Sequence, residues 1–179
     1  VKGIVGGRGE KTASLSLNRA TDTTRQPGST FKIVSTYAPA LDSAGMTLAS
    51  TQYDAPYYYD EGKGKEVRNA DRSYSGWTSY REGIRRSINI VAVKTLTDIT
   101  PELGATYVQN FGITTLQTEL DSGGNGDVGQ AMALGGLTNG VKNVELTAAF
   151  ATIANGGVYT EPVFYTRILD HDGNVLIDN

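Results

Sequence analysis

A chain of 179 residues with 39% hydrophobic and 20% charged side chains is long enough for one domain with its own core. Its net charge of -3 excludes the basic stripe that nucleic-acid binding requires, and the absence of cysteine excludes disulfides and thiolate metal sites. The single histidine, His171, lies in the turn-like stretch DHDGN, so His-rich metal sites are excluded and a Ser-His-Asp triad is open only to that residue. No apolar run approaches the roughly 18 residues of a membrane span and no signal-peptide pattern opens the chain, so these residues hold no anchor.

The first residues, VKGIVGGR, read as a strand over 1–8 that stops at Gly6-Gly7. A polar, turn-like connection follows. A helix then opens at Ser29, with Phe31, Val34 and Ala38 at helical spacing and Gly45 as its stop. Pro39, late in this helix, is expected to kink or end it. Residues 51–79, rich in Tyr, Asp, Gly and Lys, read as a long irregular segment, which in a compact domain is functional or disordered. Two helical stretches follow, SYREGIRRS and INIVAVKTLTDI, separated by a short break. The next helix has Thr100 as N-cap, Pro101 in its first position and Gly112 as its stop. Beyond a Gly-rich stretch, GQAMALGG and KNVELTAAFATIANGG continue the helical pattern. The tail over 158–179 reads as two strands around an Asp172-Gly173 turn. The pattern is mostly helical, with strands only near the two ends.

Ser29 and Lys32, in RQPGSTFK, form an S-x-x-K pair one helical turn apart. Positions i and i+3 share a helix face, so the amine is expected within reach of the serine oxygen. A serine alcohol needs such a base, and a lysine serves only if desolvation or a nearby cation lowers its pKa. Spacing alone is unspecific, because about one chance S-x-x-K is expected in a chain of this length. Lys32 can equally be a solvated residue beside an N-cap.

Two S-x-N triplets compete as partners of that pair, Ser16-Leu17-Asn18 and Ser87-Ile88-Asn89. In the first, Asn18 can simply shape a turn. In the second, Ser87 can cap a helix break or relay a proton, and Asn89 can donate to a substrate carbonyl. Gly124, Gly126 and Gly129 spell G-x-G-x-x-G, but the preceding TTLQTELDSG is too polar for the buried strand a dinucleotide site requires. Asp54, Asp60, Glu61 and Asp71 show no metal or acid/base spacing, and Tyr57-Tyr58-Tyr59 reads as loop packing.

The runs GGR…LNRAT…RQPGSTFK, REGIRRSINIVAVK and ALGG…VELTAAFATIANGGVYTEPVF together resemble the transpeptidase domain of class A, high-molecular-mass penicillin-binding proteins. They cover nearly the whole chain in the family's order. The resemblance implies an α+β fold, here mainly the helical half of a penicillin-binding-protein or serine β-lactamase-like domain, with few strands near the two ends. Within a partial domain 1–179 it implies a strand over 1–8, a helical subdomain over about 29–157 and a strand-like tail. It implies that Ser29 is the acyl-accepting nucleophile, Lys32 its base, and Ser87 and Asn89 the second motif.

The family's third motif, K-T-G, does not occur; Lys94-Thr95-Leu96 comes closest, on a predicted helix. The resemblance therefore implies a fragment completed by a C-terminal segment or second chain carrying K-T-G, and inactive by itself. The implied reaction is acylation by D-Ala-D-Ala stem peptides and cross-linking of peptidoglycan, with β-lactams trapping the same serine. No cofactor or metal is implied. The implied location is the extracytoplasmic face of a bacterial cell membrane. Rival readings are a DD-carboxypeptidase or β-lactamase-type hydrolase, and a non-catalytic penicillin-binding sensor.

Overall fold

The computed structural model describes residues 1–60, 63–120, 123 and 126–179; Glu61 and Gly124 lie outside the described residues. In chain order the strands are β1 (Thr24–Arg25), β2 (Thr51–Asp54), β3 (Tyr57–Tyr58), β4 (Glu66–Val67), β5 (Gly76–Ser79), β6 (Val141–Lys142), β7 (Arg167–Leu169) and β8 (Val175–Asp178). The α-helices are α1 (Ala38–Asp42), α2 (Tyr80–Arg85), α3 (Asn89–Ile99), α4 (Pro101–Asn110) and α5 (Asn143–Ala154).

Helix α3 is the centre of the fold because its sequence is apolar around most of its circumference, the mark of a helix covered on several sides. Ile90, Val91, Ala92, Val93 and Leu96 are all fully buried. Each of the larger ones contributes about 1.5–3 kcal/mol by leaving water. Against α3 pack α2, α4, β2, a 3₁₀ turn at Gln130–Leu134 and the irregular helix over 28–42. That last helix changes pitch along its length. It opens as a 3₁₀ turn at Gly28–Thr30, widens to a π-helical stretch at Ile33–Tyr37 and ends as α1. The wide turn immediately precedes Pro39, which has no N–H and would crowd the carbonyl four residues back. Ala38 N–H bonds Ile33 O, five residues back, and the helix runs through the proline instead of ending there.

Helix α4 begins as its sequence predicts, with the Thr100 side chain accepting from Leu103 N–H and Pro101 in the first turn. In the tail, β7 and β8 pair antiparallel across the turn containing Asp172-Gly173, whose backbone is organised by Asp170.

Two expectations are corrected. Residues 1–8 form no strand. A strand exists only when a neighbour takes its N–H and C=O groups. Among the described residues the backbone bonding to 1–8 is a single bond from Arg19 N–H to Gly6 O, with the Val1 ammonium on Val163 O. The second correction is to residues 51–79. Instead of one irregular segment they hold two antiparallel pairs, β2 with β5 and, nested between them, β3 with β4. Strands are thus found in the middle of the chain, where short polar-aromatic runs such as TQYD and GWTS pair across a long separation.

Candidate active site

Ser29 sits exposed in the 3₁₀ turn at the head of the 28–42 helix. Just behind it two residues are sealed in the core, Phe31 at 0% and Lys32 at 2% exposure. Segment 135–142 holds this turn in place. The Gln26 side chain accepts from Leu137 N–H at 2.9 Å and donates to Leu137 O, while β1 pairs with β6. Gly135, at φ +70°, lies so close that a Cβ there would stand 2.5 Å from both N and O of Gly28. Gly135→Ala is expected to lower stability by about 1–3 kcal/mol and to displace the Ser29 turn. Unfolding midpoints and acylation rates check this, and an unaffected variant would show that the turn does not depend on this contact.

Lys32 is a buried cation with its donors directed at one place. Its Nζ donates to Ser87 O at 2.7 Å, Ser87 Oγ at 3.0 Å and Asn89 Oδ1 at 2.6 Å. An ammonium has three N–H groups, and these three acceptors use them all. Burial pulls the Lys32 pKa down from 10.5 to about 8, since taking the charge out of water disfavours the ammonium. The expected Ser29–Lys32 hydrogen bond does not form. Residues three apart share a face, but the ammonium takes the better acceptors offered by the α2–α3 connection. Ser29 is exposed in the turn that leads into Lys32, and Lys32, Ser87 and Asn89 are joined to one another.

Ser87 occupies the residue after the C-cap of α2. Its N–H bonds Ile84 O and the N–H of Ile88 bonds Gly83 O, the paired closing bonds of a Schellman motif. That position needs a left-handed backbone and is usually glycine; Ser87 has φ +55°. A non-glycine residue there costs roughly 1–2 kcal/mol. The conformation turns the Ser87 carbonyl and hydroxyl together onto Lys32. Ser87→Gly is therefore expected to match Ser87→Ala in lost acylation while exceeding it in stability by about 1 kcal/mol. Equal stabilities of the two variants in denaturant melts would refute the strain argument.

Asn89 opens α3 and is partly buried. Its Nδ2 donates to Arg68 O at 2.7 Å, which turns Oδ1 towards Lys32 and leaves the second amide N–H available to a ligand. The other triplet has no part in this group. Asn18 Oδ1 accepts from Ala20 N–H and its own N–H bonds Asp22, a local turn. His171 is a surface residue beside Asp172. Tyr57 and Tyr59 pack against the core, with Lys94 Nζ 5.6 Å from the Tyr57 ring centroid. No three His, Asp or Glu side chains cluster as a metal site among the described residues. Sequence reasoning missed Gln26, Arg68 and Asn69, because their roles depend on which distant backbone groups they meet.

An exposed serine one turn before a desolvated lysine, itself held by a second serine and an asparagine, is chemically able to support acylation of a hydroxyl. Residues 6–178 match the penicillin binding protein transpeptidase domain. The chain belongs to that family. It is 35% identical to penicillin-binding protein 1A of Clostridium tetani and 37% identical to penicillin-binding protein 1F of Bacillus subtilis, in each case over 100% of this chain and 23% of the relative. The chain thus spans about a quarter of the length of these relatives. The fold of penicillin-binding protein 1A from Haemophilus influenzae matches 91% of this chain and 23% of that one, with TM-score 0.73 and 28% identity. PonA1 of Mycobacterium tuberculosis in complex with penicillin V shares the fold at TM-score 0.76 and 23% identity, over 92% of this chain and 43% of that one.

Proposed function

We propose that this transpeptidase-family chain supplies the nucleophile and proton-transfer groups of a peptidoglycan D-Ala-D-Ala transpeptidase. The observation that carries the proposal is the buried Lys32 amine shared between Ser87 and Asn89, one turn from an exposed Ser29. In its neutral form Lys32 has a lone pair and can take a proton. Ser29 Oγ attacks the carbonyl of the penultimate D-Ala, and its proton passes to Lys32 Nζ. The tetrahedral intermediate collapses to an ester on Ser29. The C–N bond to the terminal D-Ala breaks, and that nitrogen takes the proton back from Lys32 by way of the Ser87 hydroxyl. An amine of a neighbouring stem then attacks the ester, gives up its proton along the same groups and leaves as the cross-linked amide, restoring Ser29. The free N–H of the Asn89 amide is placed to hold a substrate carbonyl. A β-lactam enters the first half of the same sequence, since opening its ring leaves the acyl group on Ser29.

Cross-linking of peptidoglycan assigns the protein to the outer face of the cell membrane; among the described residues no helix is long and apolar enough to cross one. The test uses the full-length protein. Incubation with a fluorescent penicillin followed by peptide mapping is expected to place one acyl adduct on Ser29. A stem peptide ending in D-Ala-D-Ala, offered with an amine acceptor, is expected to release D-Ala and form the cross-linked product. Hydrolysis in preference to amide formation would replace the proposal with a carboxypeptidase. An adduct with no D-Ala release would replace it with a penicillin-binding sensor.

A further inference from the structure

We infer that Asn69, anchored by Asp54, is a positioning residue that fixes the start of α3 and with it the grip of Asn89 on Lys32. The inference rests on the role of Lys32 proposed above. Helix α3 begins without a capping side chain of its own, since Ile88 occupies the N-cap. The first N–H groups of a helix have no partner within it and must be satisfied from elsewhere. Asn69 does this from 20 residues away: its Oδ1 accepts from Asn89 N–H at 3.1 Å and from Ile90 N–H at 3.2 Å.

The amide of Asn69 has no freedom to do otherwise. It is 6% exposed, and its Nδ2 donates to Asp54 Oδ1 and to Ser73 O, both at 2.8 Å. Both donors and both acceptor directions are thereby used. Turning the amide over would set its NH₂ against the two helix N–H groups and its oxygen against a carboxylate and a carbonyl. Asp54 is buried at 1% exposure, and its second oxygen accepts from Ser75 N–H at 2.9 Å. It stands at the end of β2, opposite Gly76 in the β2–β5 pair. The β2–β5 pair therefore holds the carboxylate, the carboxylate orients the Asn69 amide, and the amide holds the helix start.

The preceding residue completes the grip. Arg68 O holds the side chain of Asn89 while Asn69 holds its backbone N–H. One dipeptide thus determines both the position of Asn89 and which end of its amide meets Lys32. A shift of about 1 Å in such a group can cost about a hundredfold in rate. This gives residues 51–79 a task that their composition does not reveal.

The experiment compares Asn69→Ala, Asn69→Asp and the exchanged pair Asp54→Asn/Asn69→Asp in the full-length protein. The readouts are the limiting acylation rate at saturating fluorescent penicillin, the half-saturating concentration, the thermal midpoint and the side-chain amide resonances of Asn89. Asn69→Ala is expected to lower the limiting rate by about a hundredfold with the half-saturating concentration unchanged, and to move the Asn89 resonances. Asn69→Asp keeps the acceptor oxygens but faces Asp54 with a second carboxylate, so it is expected to be slow as well. The exchanged pair restores a donor opposite an acceptor at position 54, while Ser73 O still faces an oxygen, so it is expected to recover part of the rate lost in Asn69→Asp. If Asn69→Ala does not fold, the exchanged pair against Asn69→Asp decides alone, and absence of recovery overturns the inference. A folded Asn69→Ala with wild-type rate and unmoved Asn89 resonances also overturns it. If wild type takes no adduct at Ser29, the proposed function fails instead, and the Asn89 resonances alone judge the positioning.

Discussion

Ser29→Ala is expected to abolish covalent labelling by penicillin and release of D-Ala, with no change in thermal stability. The side chain is exposed, so its loss leaves no cavity and no stranded partner, and surface changes of this kind stay within about 0.5 kcal/mol. No neighbouring hydroxyl can take over. Thr30 Oγ1 donates to Pro27 O at 2.6 Å, and Ser87 Oγ accepts from Lys32 across the site. Removing a nucleophile leaves only what binding and electrostatics contribute, typically a residual of about 10³–10⁴ over water. Labelling stoichiometry by intact mass, beside a melting curve, checks both halves of the prediction. Stoichiometric labelling of Ser29→Ala at Thr30 or Ser87 would move the nucleophile to that residue.

The local parts of this site are legible in the sequence, and the long-range parts are not. The turn before Ser29 and the capped start of α4 at Thr100-Pro101 follow from residue types with strong backbone preferences, whereas the left-handed turn at Ser87 goes against the preference of its residue. The triplet that matters is separable from Ser16-Leu17-Asn18 only because the chain resembles a known family. The partner chosen by Lys32 was out of reach of spacing arguments. An i, i+3 relation permits contact with Ser29, but tertiary packing brings three acceptors nearer from the α2–α3 connection. The hairpins within 51–79 were hidden for a related reason. β2 and β5 are four residues each, and their pairing spans a segment whose composition reads as loop. Apolar residues over 1–8 suggested a strand, yet propensity cannot supply the neighbour that a strand needs.

The site also brings several local conflicts together. A serine occupies the left-handed position that suits glycine, a lysine lies 2% exposed in the core, and helix α3 depends on a side chain from another segment for its cap. Conflicts of this kind persist where surrounding structure over-determines them, and they gather at functional sites. Here each one bears on the same amine: Ser87 turns two oxygens onto it, Asn69 sets the helix that carries Asn89, and the core removes its water.

Lys32→Met is expected to lower acylation by about 10²–10⁴-fold, the usual contribution of a positioned base, without reducing stability at pH 7. Methionine matches the length of the lysine stem and needs no water, whereas the buried ammonium is held below its ordinary pKa of 10.5, at about 8. The sign follows from proton binding. Between pH 8 and 10.5 the unfolded chain keeps this proton and the folded chain has lost it, so stability rises with pH across that window. Below pH 8 the full cost of burying the charge is present, about 3 kcal/mol, since each tenfold loss of proton affinity is worth about 1.4 kcal/mol. The three hydrogen bonds to Ser87 and Asn89 offset part of it. Unfolding free energies should therefore show wild type gaining on Lys32→Met as pH is raised from 8 towards 10.5. Catalysis follows the same titration, because only the neutral amine accepts the Ser29 proton. The wild-type acylation rate is expected to climb with pH to a plateau with a midpoint near 8, and the residual rate of Lys32→Met to lack that rise. A wild-type profile flat from pH 6.5 to 9, or a Lys32→Met profile that keeps the same midpoint, would remove Lys32 from the role of base.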